Sequence, residues 1–380
     1  VTTLRPTRFE GESTLHYRDA IRPVRALADG LPAFEASLEA LAQRGALDRQ
    51  GLASFFAAHF FLDWLTPAAA SAVAHEHLGA DCLSALSERA AEQPARLARL
   101  VVQAVELRDA LADAGIECLV LKGFALGTRH YPAPERRHQW DIDLMIREEA
   151  MHDAFQVLGG MGYLSRKQAA DGPVIQDLIS RVRRGLLHRG QHSIGARRGD
   201  LRIDVHWRIG GRLADHVDHD ALWASRRAFE IRGQRFETLD DEHALTLLLL
   251  GIAADLKRGA CKGKQWLDLY LALRAQPATR DWQAFLARRS SERLLRVAVN
   301  VLALLGSAWD CEGEWPALSA ALAPHRPRVL LPGAAEAVAL IERPRGAAEN
   351  RRWYGRLYPR SRLHHAAWRI ADSWSQAARR

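Results

Sequence analysis

Two short stretches that alternate polar with apolar residues, each carrying aspartate on its polar side, constrain this chain more than any other feature. The first is Trp140-Asp-Ile-Asp-Leu-Met-Ile146 and the second is Leu201-Arg-Ile-Asp-Val-His-Trp-Arg-Ile209. Successive side chains of a β-strand point to opposite faces. As strands, these stretches put Asp141 and Asp143 on one face, and Asp204, His206 and Arg208 on one face of theirs. Side by side in one sheet they would build a three-carboxylate metal site. Carboxylates held that close repel, which predicts a raised pKa for at least one of them.

The segments around these stretches read as alternating helices and strands. From 31 to 111 the chain is helical, and Leu97, Leu100, Val101, Ala104 and Leu111 recur at the spacing of a buried stripe, with Pro94 near the helix start. Ala114-Gly115 stops that helix. The apolar run 116–121 follows as a buried strand, ended by Lys122-Gly123, and 124–131 is a short helix. A helix over 148–158, a helix over 174–187, a weak strand near 188–194 and a hairpin around Gly233-Gln234 complete the middle of the chain. Beyond Asp240-Asp241, a helix cap, the pattern is helical again over 244–256, 266–273, 282–286, 294–305 and 335–341. The last residues form a basic tail rich in tryptophan and arginine. The expected class is α+β, divided into a helical region at 1–96, a core at 97–240, a second helical region at 241–345 and the tail at 346–380.

An Asp-x-Asp pair suits magnesium, or manganese in its place, because such ions take hard oxygen ligands and keep room for water and phosphate. A solvent-facing strand edge would alternate in the same way. Asp204 on a second alternating strand favours the metal site, and so does Lys122-Gly123. There a strand gives way to a helix, and free backbone N–H groups beside a glycine favour phosphate. The formal charge of +8 and a pI near 9.7 suit phosphate-bearing partners. Four widely spaced cysteines exclude zinc-finger spacing and point to a reducing cytoplasm. No apolar run is long enough to span a bilayer, since even 55–65 is interrupted by His59 and Asp63, and no secretory signal is read at the N-terminus.

The motifs Leu121-Lys-Gly-Phe-Ala-Leu126, Tyr131, Arg137, Asp141-Ile-Asp-Leu144 and Ile203-Asp-Val-His-Trp207 together resemble the uncharacterised nucleotidyltransferase family of the DNA polymerase β superfamily, over about residues 97–273. The resemblance implies a mixed sheet flanked by helices. It implies two magnesium ions on Asp141 and Asp143, with Asp204 completing the set, and transfer of a nucleotidyl group from an NTP to an unidentified small-molecule, peptide, protein or RNA acceptor. Gly123 stands where the superfamily has the glycine of a Gly-Ser phosphate turn. Phe124 replaces the serine, which leaves Lys122 and Arg137 to supply the missing phosphate contact. His206 would touch acceptor or phosphate, or serve a structural role beside a carboxylate. Trp140 and Trp207 are expected in the core. Lys262, Lys264 and Asp268 resemble a family stretch that puts Lys264 within reach of phosphate, although a solvated basic loop accounts for the same residues. Two rival readings remain: a metal-dependent glycosyltransferase, which uses Asp-x-Asp without needing Asp204, and a non-catalytic nucleotide- or nucleic-acid-binding protein.

Overall fold

The computed structural model describes residues 17–165, 193–210, 216–258 and 262–328. The helices expected over 174–187 and 335–341, most of the weak strand near 188–194 and the basic tail lie outside the described residues.

The chain enters through helices α1 (Tyr17–Ala26), α2 (Leu31–Gln43), α3 (Arg49–Ala58) and α4 (Ala72–Leu78) before α5 (Ala80–Asp113). Local chemistry sets several of these starts. Asp48 caps α3 by accepting from Gly51 N–H at 2.8 Å, and Ser71 caps α4 by accepting from Ala74 N–H at 3.0 Å. α5 was expected to begin near Pro94 but runs straight through it. An internal proline costs about 3 kcal/mol. Two separate burials offset it, at about 1.5–3 kcal/mol for each large aliphatic side chain. Cys82, Leu83 and Leu86 pack with the other N-terminal helices, while Leu97, Leu100, Val101, Ala104, Leu107 and Leu111 form the expected stripe against the sheet. Gly115, at φ 73°, then closes the helix.

The sheet combines β1 (Cys118–Leu121), β2 (Asp141–Ile146), β3 (Leu164–Ser165), β4 (Ser193–Arg198) and β5 (Leu201–His206) in the order β1-β2-β5-β4-β3. β2 and β5 run parallel and the other pairs antiparallel, so the sheet is mixed. α6 (Gly123–His130) and α7 (Met151–Gly160) follow β1 and β2. Val120, Ile142, Leu144, Ile203 and Val205 face α5 and α7 in one apolar cluster. The alternation that buries them turns Asp141, Asp143, Asp204 and His206 to the opposite face.

After α8 (His219–Ala224), strands β6 (Arg227–Ile231) and β7 (Gln234–Thr238) form a separate hairpin. Its turn is one residue earlier than expected, because Arg232 and Gly233 take the positive φ values of 51° and 71° that a tight hairpin needs. The C-terminal helices are α9 (Asp241–Arg258), α10 (Gly263–Arg274), α11 (Trp282–Ser291), α12 (Leu295–Trp309) and α13 (Pro316–Leu322). Asp240 caps α9 by accepting from His243 N–H at 2.8 Å.

The helices before and after the sheet share one core. Tyr17, Phe34, Phe56 and Trp64 cluster with Leu248, Trp266, Tyr270 and Trp309, and with Leu119, Leu121 and Met145 of the sheet. Trp309 Nε1 donates to the Tyr17 hydroxyl at 3.2 Å across this junction. The fold is thus α+β, a mixed sheet with flanking helices. No described helix is long and apolar enough to cross a membrane.

Candidate active site

Parallel pairing of β2 with β5 sets Asp143 directly opposite Asp204. His206, two residues along β5, shares their face and is buried. Its Nε2 lies 3.1 Å from Asp143 Oδ1 and 3.7 Å from Asp204 Oδ2. Potential ligand atoms of Asp143, Asp204 and His206 all fall within 4.8 Å of one another. These three groups could hold a divalent metal ion, and the carboxylate oxygens among them are the hard donors that magnesium or manganese takes. Asp141 sits one pleat earlier on the same face, outside this closest group but near enough for its charge to act on Asp204 and Lys122.

The β1–β2 pairing brings the turn after β1 alongside. Lys122, at φ 39°, and Gly123, at φ 42°, both adopt left-handed backbone there, a strained arrangement for the lysine. Lys122 Nζ reaches Asp143 Oδ1 at 3.4 Å. Burial by itself would push the Asp143 carboxyl up, but Lys122 and the His206 hydrogen bond outweigh it and hold Asp143 well below the usual carboxylate range. Burial likewise works against the Lys122 ammonium, and Asp143 and Asp204 reverse the effect, so its pKa rises. Asp204 is the carboxylate with the raised pKa, through burial first and then the nearby charges of Asp143 and Asp141, against His206 and Lys122.

A family model described as an uncharacterised nucleotidyltransferase matches residues 64–310. The chain belongs to that family. The match extends on both sides of the stretch that carried the sequence resemblance. A comparison with curated proteins gave no match.

Within this family member the remaining expected residues divide. Arg137, expected at a phosphate, is buried with its guanidinium occupied by Asp268 of α10, Nε to Oδ1 and Nη2 to Oδ2, both at 2.8 Å. The Tyr131 hydroxyl adds a 2.7 Å bond to the same carboxylate. Lys264 lies in the first turn of α10 rather than in a solvated loop. Its ammonium is 5.6 Å from the Phe60 ring centroid, and burial, then Arg137, lower its pKa against the pull of Asp141 and Asp268. It is a desolvated cation at the Asp141 end of the site. Phe124 departs from serine because it is core, packed against Phe229 and Phe236 of the hairpin. Gly123 approaches another side chain closely, since an added Cβ would come to 3.0 Å from Gln139 Oε1.

Trp207 is buried as expected, but Trp140 is 50% exposed. β2 begins only at Asp141, so the alternation that buries Ile142 does not reach back to the tryptophan.

The candidate site has supports that sequence reasoning passed over. Asp63, 1% exposed, accepts from His138 Nδ1 at 2.6 Å and from Arg96 at 3.3 Å. Burial raises the Asp63 pKa but His138 and Arg96 bring it down, while burial of His138 lowers the imidazole to about 4 against the pull of Asp63. The pair is therefore carboxylate and neutral imidazole. His59 accepts from Gly263 N–H through Nδ1 at 3.2 Å, and its carbonyl accepts from Lys264 N–H at 3.0 Å. The signal was present: His59 and Asp63 are the polar interruptions of the apolar run 55–65, and a polar residue inside such a run is buried with a partner.

Proposed function

We propose that this protein transfers a nucleotidyl group from a nucleoside triphosphate to a hydroxyl or phosphate oxygen of an acceptor, releasing pyrophosphate. The observation that carries this reading is the register of Asp143 opposite Asp204, with His206 between them and the Lys122-Gly123 turn alongside. Asp141, Asp143 and Asp204 would hold magnesium or manganese, with His206 hydrogen-bonded to Asp143 beside them, and the metal would neutralise phosphate charge and acidify the acceptor oxygen.

The chain's own groups do the rest. Lys122 and the backbone N–H groups that open α6 take the triphosphate. Lys264 adds positive charge at the Asp141 end. Asp204, the most basic of the paired carboxylates, accepts the proton from the acceptor hydroxyl as its oxygen bonds to the α-phosphorus. The bond from that phosphorus to the bridging oxygen breaks, and pyrophosphate departs with the electron pair. Arg137 acts indirectly, by tying the approach to β2 to α10 through Asp268.

The test is incubation of the protein with each labelled NTP and magnesium, with and without a lysate of the source cells, scoring label transfer and pyrophosphate. Label transfer that needs Asp204 supports the proposal. Transfer of a sugar from a nucleotide sugar, indifferent to Asp204, would replace it with the glycosyltransferase reading. Tight NTP binding without turnover in any lysate would leave a nucleotide-binding protein.

A further inference from the structure

Val102, Trp140 and Leu164 are the exposed large hydrophobic residues among those described, and Trp140 is the aromatic one. It directly precedes Asp141. The Arg96 guanidinium lies 4.5 Å from its ring centroid and that of Arg89 5.7 Å. Arg96 is buried and anchored by Asp63, and its Nε and Nη1 find no hydrogen-bond partner among the described residues. Its guanidinium is therefore committed to the indole. His138 meets the same ring edge-on at 5.6 Å and packs against Phe60 at 4.8 Å, and Phe60 carries Lys264 at 5.6 Å. An aromatic and cationic wall thus runs from Trp140 to Lys264 around the Asp141 end of the site.

We infer that Trp140, braced by Arg96, is the stacking platform for the base of the bound nucleoside triphosphate. The inference rests on the nucleotidyl-transfer reading and adds to it the residue that holds the base. Three observations favour a base over other occupants. A half-exposed indole fixed by a cation is a rigid flat surface, and every base has a face that stacks on one. The rim of Arg89, Arg96 and Lys264 favours an anionic ligand. Finally, a buried acceptor adjoins the platform. Asp63 takes the Nδ1 proton of His138, so Nε2 is an acceptor, and it has no partner among the described residues. The imidazole is more than nine-tenths buried and edge-on to the indole, and an N–H group on a base edge supplies the donor it lacks.

Calorimetry on the full chain with MgATP and with magnesium tripolyphosphate separates the base from the phosphates. Trp140→Ala should weaken MgATP about tenfold, within the range of a lost base stack, and leave tripolyphosphate binding unchanged. Trp140→Phe should recover most of the loss. Equal weakening of both ligands would overturn the inference in favour of a role at the phosphates. Unchanged MgATP binding would overturn it in favour of the acceptor or of an unused surface ring. A parent protein that binds neither ligand would overturn the nucleotide reading itself, a result recognisably different from either. Thermal melting checks that each variant is folded.

Discussion

Replacing Lys122 by methionine keeps the aliphatic stem and deletes the charge that faces Asp143. The two side chains are 27% and 12% exposed, and Nζ lies 3.4 Å from Oδ1. A hydrogen bond to a charged group contributes about 1.5–3 kcal/mol, and this one is long, so a loss of about 1.5–2 kcal/mol is expected. For a chain of 380 residues that lowers the metal-free melting temperature by about 2–2.5 °C. The sign with pH follows from the depressed Asp143 pKa. Its stabilisation is complete above the ordinary carboxylate range and is lost as pH falls through the folded value, so the gap between parent and variant should be widest at neutral pH and close in acid. Magnesium restores a cation beside Asp143 and should raise the variant's melting temperature more than the parent's. MgATP should bind about tenfold more weakly, as loss of a charge-assisted contact requires. Melting curves over a pH series, with chelator and with magnesium, read all of this. Equal melting temperatures at every pH, with equal magnesium shifts, would refute Lys122 as the partner of Asp143.

Arg137→Leu should destabilise the fold by about 3–5 kcal/mol, because Asp268 and the Tyr131 hydroxyl stay buried without their cation. Denaturant melts measure it, and a stable variant that has lost only NTP affinity would return Arg137 to the phosphates. Phe124→Ser restores the superfamily's serine but leaves a cavity beside the stacked Phe229 and Phe236. It should cost about 3–5 kcal/mol with no gain in MgATP affinity by calorimetry. Asp204→Asn removes a carboxylate whose folded pKa is raised. Such a group favours folding below its unfolded value and loses that contribution as pH rises through the folded one, so the metal-free variant should melt higher than the parent at neutral pH and equally in acid. Label transfer by the same variant should fall by a hundredfold or so, the loss of about 3 kcal/mol of transition-state stabilisation.

That Asp141 and Asp143 share one face, and Asp204 and His206 one face of theirs, was legible because strand alternation is local; the register that sets Asp143 opposite Asp204 was not, because it joins distant stretches of chain. The stripe on α5 was legible for the same reason, its spacing being fixed by the helix. The Arg137 ion pair was not legible because its partner, Asp268, lies 131 positions away, and nothing near either residue in sequence announces the pairing. Lys264 looked solvated because Cys261-Lys-Gly-Lys264 reads as a loop, whereas α10 starts at Gly263 against His59. Trp140 looked buried because alternation was extended one residue beyond the strand it belongs to. The α5 start moved because an interior proline was weighed by its local cost alone, without the burial of Leu83 and Leu86 that lies ahead of it.

Asp63 has a bearing on where this protein can be cut. The family match opens at Trp64, one residue after the carboxylate that holds His138 and Arg96 and so sets the brace under Trp140. Excising 64–310 would discard that carboxylate, remove the Val24 carbonyl that receives Trp64 Nε1 at 2.8 Å, and bare the apolar flank that Tyr17, Phe34 and Phe56 cover. The smallest soluble fragment with a working site should therefore be longer than the segment the family shares, beginning ahead of α1. A protease that clips between α2 and α3 should loosen the candidate site from a distance.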